Sequence, residues 1–141
     1  MVIDIPISEL MTKQVIYLSS NDGLEVAEKT MKKNHIRHLP IVNDGKMTGI
    51  LSLTDLQRIS FANPVSETDE NMGSLIYDMF TIDQIMTHHP MYVDVNDGII
   101  KVLHILAEKE FHALPVLDDE SLVGIITSTD VIRYFLSVCE S

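Results

Sequence analysis

The order of apolar and polar positions in the first half of the chain predicts a strand, a helix, two strands and a second helix. The apolar run VIYL suits the first strand. Leu24, Ala27 and Met31 then recur at helical spacing, so we expect a helix with one buried face. The runs HLPIV and MTGILSL flank an Asp-Gly turn at 44–45, which is typical of a β-hairpin. A second helix is expected from Thr54 to about Phe61, with Thr54 or the preceding serine as its cap.

The same order recurs in the second half, because residues 7–58 align with 82–133 without a gap. The run MYVDV takes the place of the first strand, and a helix follows with Ile99, Val102, Leu103 and Leu106 on its apolar face. The runs ALPVL and LVGIITS form a hairpin with a less typical turn, and the last helix is expected from Thr129 to about Val138. The pattern is therefore βαββα, twice. Because one copy alone cannot bury its apolar face, we expect the copies to pack together.

Polar residues precede the first helix of each copy. Asn21-Asp22-Gly23 and its counterpart 96–98 offer side-chain oxygens that would cap the free N–H groups of the helix. We expect one domain over residues 1–61 and a second over 82–141. Residues 62–81 have no counterpart in the other copy, and their composition predicts a loop followed by a short amphipathic helix.

Composition restricts the class of protein. With 141 residues and 45% apolar content the chain can form one compact core, or two small halves that share one. No apolar run is long enough to cross a bilayer, and the acidic N-terminus does not resemble a signal peptide, so a cytoplasmic location is expected. A single cysteine, Cys139, fits a reducing compartment. The net charge of −11 disfavours nucleic acid and anionic membranes as partners.

Each copy ends its hairpin in a pattern that suits a binding site, GILSLTD at 49–55 and GIITSTD at 124–130. A junction between a strand and a helix exposes N–H groups that attract phosphate. An Asp there can accept two hydrogen bonds from a vicinal diol such as that of ribose, which assigns this role to Asp55 and Asp130.

A purely structural interpretation of the same pattern is that Thr54 and Thr129 cap the following helices, while the Asp residues complement the helix dipole. Both copies also keep a hydroxyl three residues before the Asp, Ser52 in one and Thr127 in the other. A cap at the later Thr does not need that hydroxyl, so its repetition favours the binding interpretation.

These motifs resemble those of a cystathionine-β-synthase (CBS) domain, and two copies in order resemble a CBS pair, or Bateman module. The resemblance covers residues 7–136. Among stand-alone pairs, the phrase HIRHLPIV, the acidic connector and the short length resemble acetoin-utilisation proteins of the AcuB type. The resemblance implies an α/β (α+β) fold of two βαββα halves related by a pseudo-twofold axis. It also implies a homodimer shaped as a flat disc, with adenosyl ligands in clefts between the halves.

The resemblance further implies which residues hold the ligand. Backbone near the first strand and before the Leu-Pro step of one copy would hold adenine, and the Asp of the other copy would hold ribose. One cleft would then use Thr12, Ile16, Arg37 and His38 with Thr127, Ser128, Thr129 and Asp130. The other cleft would use Thr87, Met91, His112 and Ala113 with Ser52, Leu53, Thr54 and Asp55.

The two copies differ where phosphate charge would be supplied. Arg37-His38 offers a permanent cation, whereas His112-Ala113 offers an imidazole that is mostly neutral at pH 7. A phosphorylated adenosine is therefore expected in the cleft of Arg37, unless this side chain only pairs with a surface carboxylate. The acidic surface also leaves room for S-adenosylmethionine. No cofactor is obligatory, and Mg²⁺ would enter only with the phosphates of a nucleotide.

The six histidines do not predict a dedicated metal site. His35 and His38 straddle a change from helix to strand, and His88-His89 are adjacent in an extended segment, so neither pair has a fixed shared face.

The sequence thus predicts a regulatory sensor of an adenosyl ligand such as AMP, ADP, ATP or S-adenosylmethionine, with an unknown regulated protein as its partner. The alternative is a dimerisation or interaction module that binds nothing small. An enzyme is not expected, because no P-loop, activated nucleophile or acid and base pair is present in the sequence.

Overall fold

The computed structural model describes residues 4–62, 76–109 and 112–141. Two compact units emerge from the contacts between residues. We call Ile16–Pro90 the central unit, and Met1–Val15 together with Met91–Ser141 the terminal unit. No helix among the described residues is long and apolar enough to span a membrane.

The central unit contains a three-stranded antiparallel sheet and its helices. Its elements are α1 (Leu24–Asn34), β1 (His38–Asn43), β2 (Lys46–Ser52), α2 (Leu53–Ala62), α3 (Ile82–Ile85) and β3 (Thr87–His88), with strand order β1-β2-β3. The expected apolar face of α1 is buried, and it packs with Leu39, Ile41 and Leu51 in one core. Asp44 and Gly45 both have positive φ, as an Asp-Gly hairpin turn requires.

The terminal unit repeats this plan. A 3₁₀ turn (Ile7–Glu9) precedes β4 (Val93–Asp94), α4 (Ile99–Glu108), β5 (Ala113–Asp118), β6 (Ser121–Thr127) and α5 (Ser128–Glu140). Strand order is β4-β5-β6, in which β4 is parallel to β5 and the hairpin β5-β6 is antiparallel. The core contains Ile99 and Val102 from α4 with Leu114, Val116 and Ile126 from the hairpin. The mixed α and β architecture with two hairpins is thus confirmed.

The first strand of the first repeat was predicted too long. VIYL forms only an isolated parallel bridge from Leu18 to Ile41, where the second repeat has the two-residue strand β4. In the second repeat, Val95 N–H extends the pairing by donating to Leu117 O at 2.9 Å. At the equivalent position, Ser20 N–H donates instead to the Asn43 side chain at 3.1 Å. A side-chain acceptor thus replaces the next hydrogen bond of the ladder.

The predicted caps of α1 and α4 are wrong. The N-cap residues are Gly23 and Gly98, and neither helix has a side-chain cap at that position. Asp22 and Asp97 turn back instead and accept from N–H groups three residues earlier, at 2.8 and 2.9 Å. In α4 a distant residue supplies the acceptor, because Ile100 N–H donates to Asp4 Oδ1 at 3.1 Å.

Each hairpin pairs with the opening segment of the other repeat, by which we mean Met11-Thr12 in the first repeat and Met86-Thr87 in the second. Thr87 pairs with Ile50 in the central unit, and Thr12 exchanges two backbone hydrogen bonds of 2.8 and 3.0 Å with Ile125 in the terminal unit. Two glycines permit this approach. A Cβ atom on Gly49 would lie 2.5 Å from Met86 Sδ, and one on Gly124 would lie 2.5 Å from Met11 Sδ. The repeated Met-Thr and Gly-Ile pairs of the sequence therefore form one contact in each unit.

The predicted linker is only partly within the described residues. Residues 63–75, which include the expected loop, lie outside them, whereas 76–78 are helical. Tyr77 is hydrogen-bonded to Glu28 of α1 and Ser60 of α2, which fixes this segment to both helices. Burial, and then the hydrogen bond to Glu28, raises the pKa of Tyr77 to about 12.

Candidate functional site

The two junctions predicted to bind ribose have the same local geometry. In the central unit, Asp55 N–H donates to Ser52 Oγ at 3.1 Å, and Ser52 N–H donates to Asp55 Oδ2 at 2.9 Å. In the terminal unit, Asp130 N–H donates to Thr127 Oγ1 at 3.1 Å, and Thr127 N–H donates to Asp130 Oδ2 at 2.9 Å. Each junction is thus a reciprocal capping box.

This geometry corrects the prediction about the hydroxyl groups. Ser52 and Thr127 are themselves the caps, whereas Thr54 and Thr129 lie in the first turn of α2 and α5 with exposed side chains. The repeated hydroxyl three residues before the Asp therefore does not by itself indicate a ligand. The spacing of a hydroxyl and an Asp three residues later is the sequence signal that identifies such a box.

Oδ2 of each Asp accepts a hydrogen bond within the capping box, so Oδ1 is the carboxylate oxygen that is available to a ligand. In the terminal unit, Thr12 Oγ1 donates a long hydrogen bond of 3.4 Å to Asp130 Oδ1. In the central unit, Asp55 Oδ1 lies 3.6 Å from Arg58 Nη1. Asp55 is buried and Asp130 is half-buried. One oxygen of each Asp is fixed by the backbone, and the other faces a weaker, longer contact.

The residues before the Leu-Pro step lie beside the junction of their own repeat. Leu53 N–H donates to Arg37 O at 2.9 Å, and Ser128 N–H donates to His112 O at 2.9 Å. His38 faces Ser52, and Ala113 faces Thr127, across the two hairpins. The predicted adenine-binding backbone and the predicted ribose-binding Asp of one repeat are therefore neighbours within one unit.

The predicted site residues divide between the two units. The central unit contains Ile16, Arg37, His38, Ser52, Leu53, Thr54, Asp55 and Thr87. The terminal unit contains Thr12, Met91, His112, Ala113, Thr127, Ser128, Thr129 and Asp130. Assignment of these residues to two clefts, each with members of both repeats, stays a prediction.

Exposure of the predicted residues suits contact with a small molecule. Arg37, Thr54, Thr87, Met91, His112 and Thr129 are exposed, as is Thr12. Within the part of the chain that the structure describes, Arg37 forms no ion pair, so nothing there supports its alternative role as a partner of a surface carboxylate. The described part of the chain contains no group of three or more His, Cys, Asp and Glu side chains that would hold a metal ion.

Arg58, which lies 3.6 Å from Asp55 Oδ1, was not among the predicted site residues. It follows Asp55 by three positions, a spacing that places both side chains on one side of a helix. The pair recurs as Asp130 and Arg133, and this repetition was the available signal.

Comparison with known proteins agrees with this architecture. The family model of the CBS domain matches residues 7–61 and 82–137. The chain belongs to the CBS-domain family. The two matches fall on the two sequence repeats, so this protein contains a CBS pair.

Solved CBS pairs have the same fold as the chain. An acetoin-utilisation protein, AcuB from Vibrio cholerae, is 25% identical with a TM-score of 0.80, over 98% of this chain and 95% of that one. The CBS pair of protein MJ0100, solved with 5′-methylthioadenosine and S-adenosyl-L-methionine, is 27% identical with a TM-score of 0.75, over 96% and 98%.

Protein MJ1225 of Methanocaldococcus jannaschii is 28% identical in its solved structure, with a TM-score of 0.79 over 94% of this chain and 48% of that one. The chain spans less than half the length of this curated relative, 46%.

Proposed function

We propose that this CBS pair is a regulatory module that binds an adenosyl ligand and thereby changes its engagement with a partner protein. The observation that carries the proposal is the state of the two junction carboxylates. Each uses Oδ2 to hold a helix start and presents Oδ1 to a side chain at 3.4 or 3.6 Å. A ribose diol can displace such long contacts and gain two hydrogen bonds to a charged acceptor.

The class of ligand follows from the solved relative and from charge. The MJ0100 pair, 27% identical, was solved with 5′-methylthioadenosine and S-adenosyl-L-methionine. This chain has a net charge of −11, which disfavours polyphosphates and tolerates a neutral or cationic adenosyl compound. The exposed guanidinium of Arg37 would favour AMP over adenosine at its site, and Mg²⁺ would accompany ADP or ATP only through their phosphates.

Substitution of Asp130 by Asn tests the proposal with little effect on the cap. The amide oxygen can still accept from Thr127 N–H, but an NH₂ group then replaces Oδ1, so the acceptor of the ribose is lost. We expect Asp130→Asn to weaken binding of 5′-methylthioadenosine, S-adenosylmethionine or AMP at the Asp130 junction by about tenfold or more, so that only the Asp55 junction still binds. Isothermal titration calorimetry measures this change directly.

Asp119→Asn is the matched control. It removes the same charge from a hairpin turn, where Asn tolerates the observed φ of 59°. We expect this variant to bind like the parent chain. The absence of binding of all three ligands to the parent chain would reject the sensor function and favour an interaction module without a small ligand.

We also propose that the regulatory module is a homodimer. The support is an exposed apolar face on α5, formed by Ile132, Phe135, Leu136 and Cys139 at helical spacing. Two copies that each carry a charge of −11 repel at a distance, so a second copy is best approached through an uncharged face. The same face on the second copy is self-complementary, as a twofold interface requires.

A further inference from the structure

The two repeats use the same Asp and Arg pair differently. In the central unit, Arg58 Nη1 lies 3.6 Å from Asp55 Oδ1, while Ser52 N–H holds Oδ2. Both oxygens of this carboxylate are therefore engaged. In the terminal unit, Arg133 forms no ion pair with any residue that the structure describes, and Asp130 Oδ1 has the Thr12 hydroxyl as its neighbour.

The backbone pairing beside the two junctions is equivalent. Thr12 and Thr87 occupy the same position against their hairpins, paired with Ile125 and Ile50. Thr12 Oγ1 reaches Asp130 at 3.4 Å, whereas no hydrogen bond joins Thr87 to Asp55 among the described residues. In the central unit, the arginine side chain is the group beside Oδ1.

We propose that Arg58 is an intramolecular competitor at the Asp55 junction, so that the two junctions bind an adenosyl ligand with different affinities. The Asp130 junction is the stronger one, because its ligand displaces only a long hydrogen bond from a neutral hydroxyl. At the Asp55 junction, the ribose must first displace a guanidinium. This inference rests on the proposed binding of an adenosyl ligand at the junction carboxylates.

The competitor is weak enough to be displaced. The Arg58 side chain is 71% exposed, and ion pairs of exposed side chains are worth little in water. Competition of this strength weakens binding by about fivefold at most, which separates the sites without closing the second one. Solvent ions screen the pair, so higher ionic strength should weaken the competition.

The test isolates each junction and then removes its arginine. The Asp130→Asn chain keeps only the Asp55 junction, and the Asp55→Asn chain keeps only the Asp130 junction. Uncharged 5′-methylthioadenosine is the probe, so that salt acts on the protein and not on a charge of the ligand. We expect Arg58→Gln to strengthen binding to the Asp130→Asn chain by about two- to fivefold in calorimetry.

Arg133→Gln in the Asp55→Asn chain is the matched control, and we expect its affinity to stay unchanged. Raising the salt from about 50 to about 500 mM should strengthen binding at the Asp55 junction only while Arg58 is present. Binding at both junctions with no effect of Arg58→Gln would overturn the competitor role and leave the proposed function intact. No binding to the parent chain would overturn both.

Discussion

Single side chains at the two junctions explain both the success and the failure of the site prediction. Asp55 and Asp130 were placed correctly at a strand-to-helix junction, because turn and cap residues are local signals. The role of Ser52 and Thr127 was assigned wrongly. Each helix begins immediately after this hydroxyl, one residue earlier than predicted, because apolar periodicity does not fix the first residue of a helix.

Among the four hydroxyls of the two junctions, loss should therefore be costly at positions 52 and 127 and not at 54 and 129. We expect Ser52→Ala and Thr127→Ala each to lower the free energy of unfolding by about 1 kcal/mol, because one helix N–H loses its acceptor. Urea unfolding monitored by circular dichroism measures the change. Thr54→Ala and Thr129→Ala are the matched controls, since these exposed side chains do not cap a helix. Equal losses at all four positions would contradict the assignment.

Among the elements, the two hairpins could be predicted from the sequence, whereas the extended segment before the first helix of each repeat could not. The runs around Leu39-Pro40 and Leu114-Pro115 form β1 and β5 as expected, because burial on both faces leaves one suitable conformation. VIYL has an equally apolar sequence but lies next to Asn43, whose side chain takes the next N–H group. A contact between residues so far apart in the chain cannot be inferred from local periodicity.

Tyr77 should make the protein sensitive to alkaline pH. Its pKa is about 12 in the folded chain against 10.0 for an ordinary tyrosine, so the folded state retains a proton that the unfolded state releases. The stabilisation from this group is complete below pH 10 and is lost as the pH rises towards 12. Urea unfolding across this window should show a falling free energy of unfolding.

Tyr77→Phe should flatten this part of the profile, because it removes the titrating hydroxyl. The exposed Tyr92 provides the control, and Tyr92→Phe should keep the slope of the parent chain. A slope that survives in the Tyr77 variant would show that another group causes the alkaline loss.

At the scale of the whole molecule, the repeat could be recognised in the sequence. The packing of each opening segment on the hairpin of the other repeat could not. The alignment of 7–58 with 82–133 is the same whether Met11-Thr12 packs on its own hairpin or on that of the other repeat. The contact of Met11 with Gly124 decides between these arrangements, and it depends on the path of the chain. Local composition carries no information about that path.

The exposed face of α5 leads to a prediction about assembly. Replacing Leu136 with Glu places a charge at the centre of this face, so we expect a dimer of the 15.9 kDa chain to dissociate into monomers. Size-exclusion chromatography with light scattering measures the mass. Val26→Glu is the control, because it adds the same charge to an exposed apolar position on α1. A monomeric parent chain would contradict the proposed homodimer.

The exchanged opening segments also bear on how such a chain can arise. A single ancestral repeat would have a Met-Thr segment to donate and a Gly-Ile hairpin edge to be covered. Two separate copies could satisfy each other by domain swapping, which needs no new contact. Fusion of two such genes would convert this swap between molecules into a contact within one polypeptide, and each half of the fused gene could then change independently.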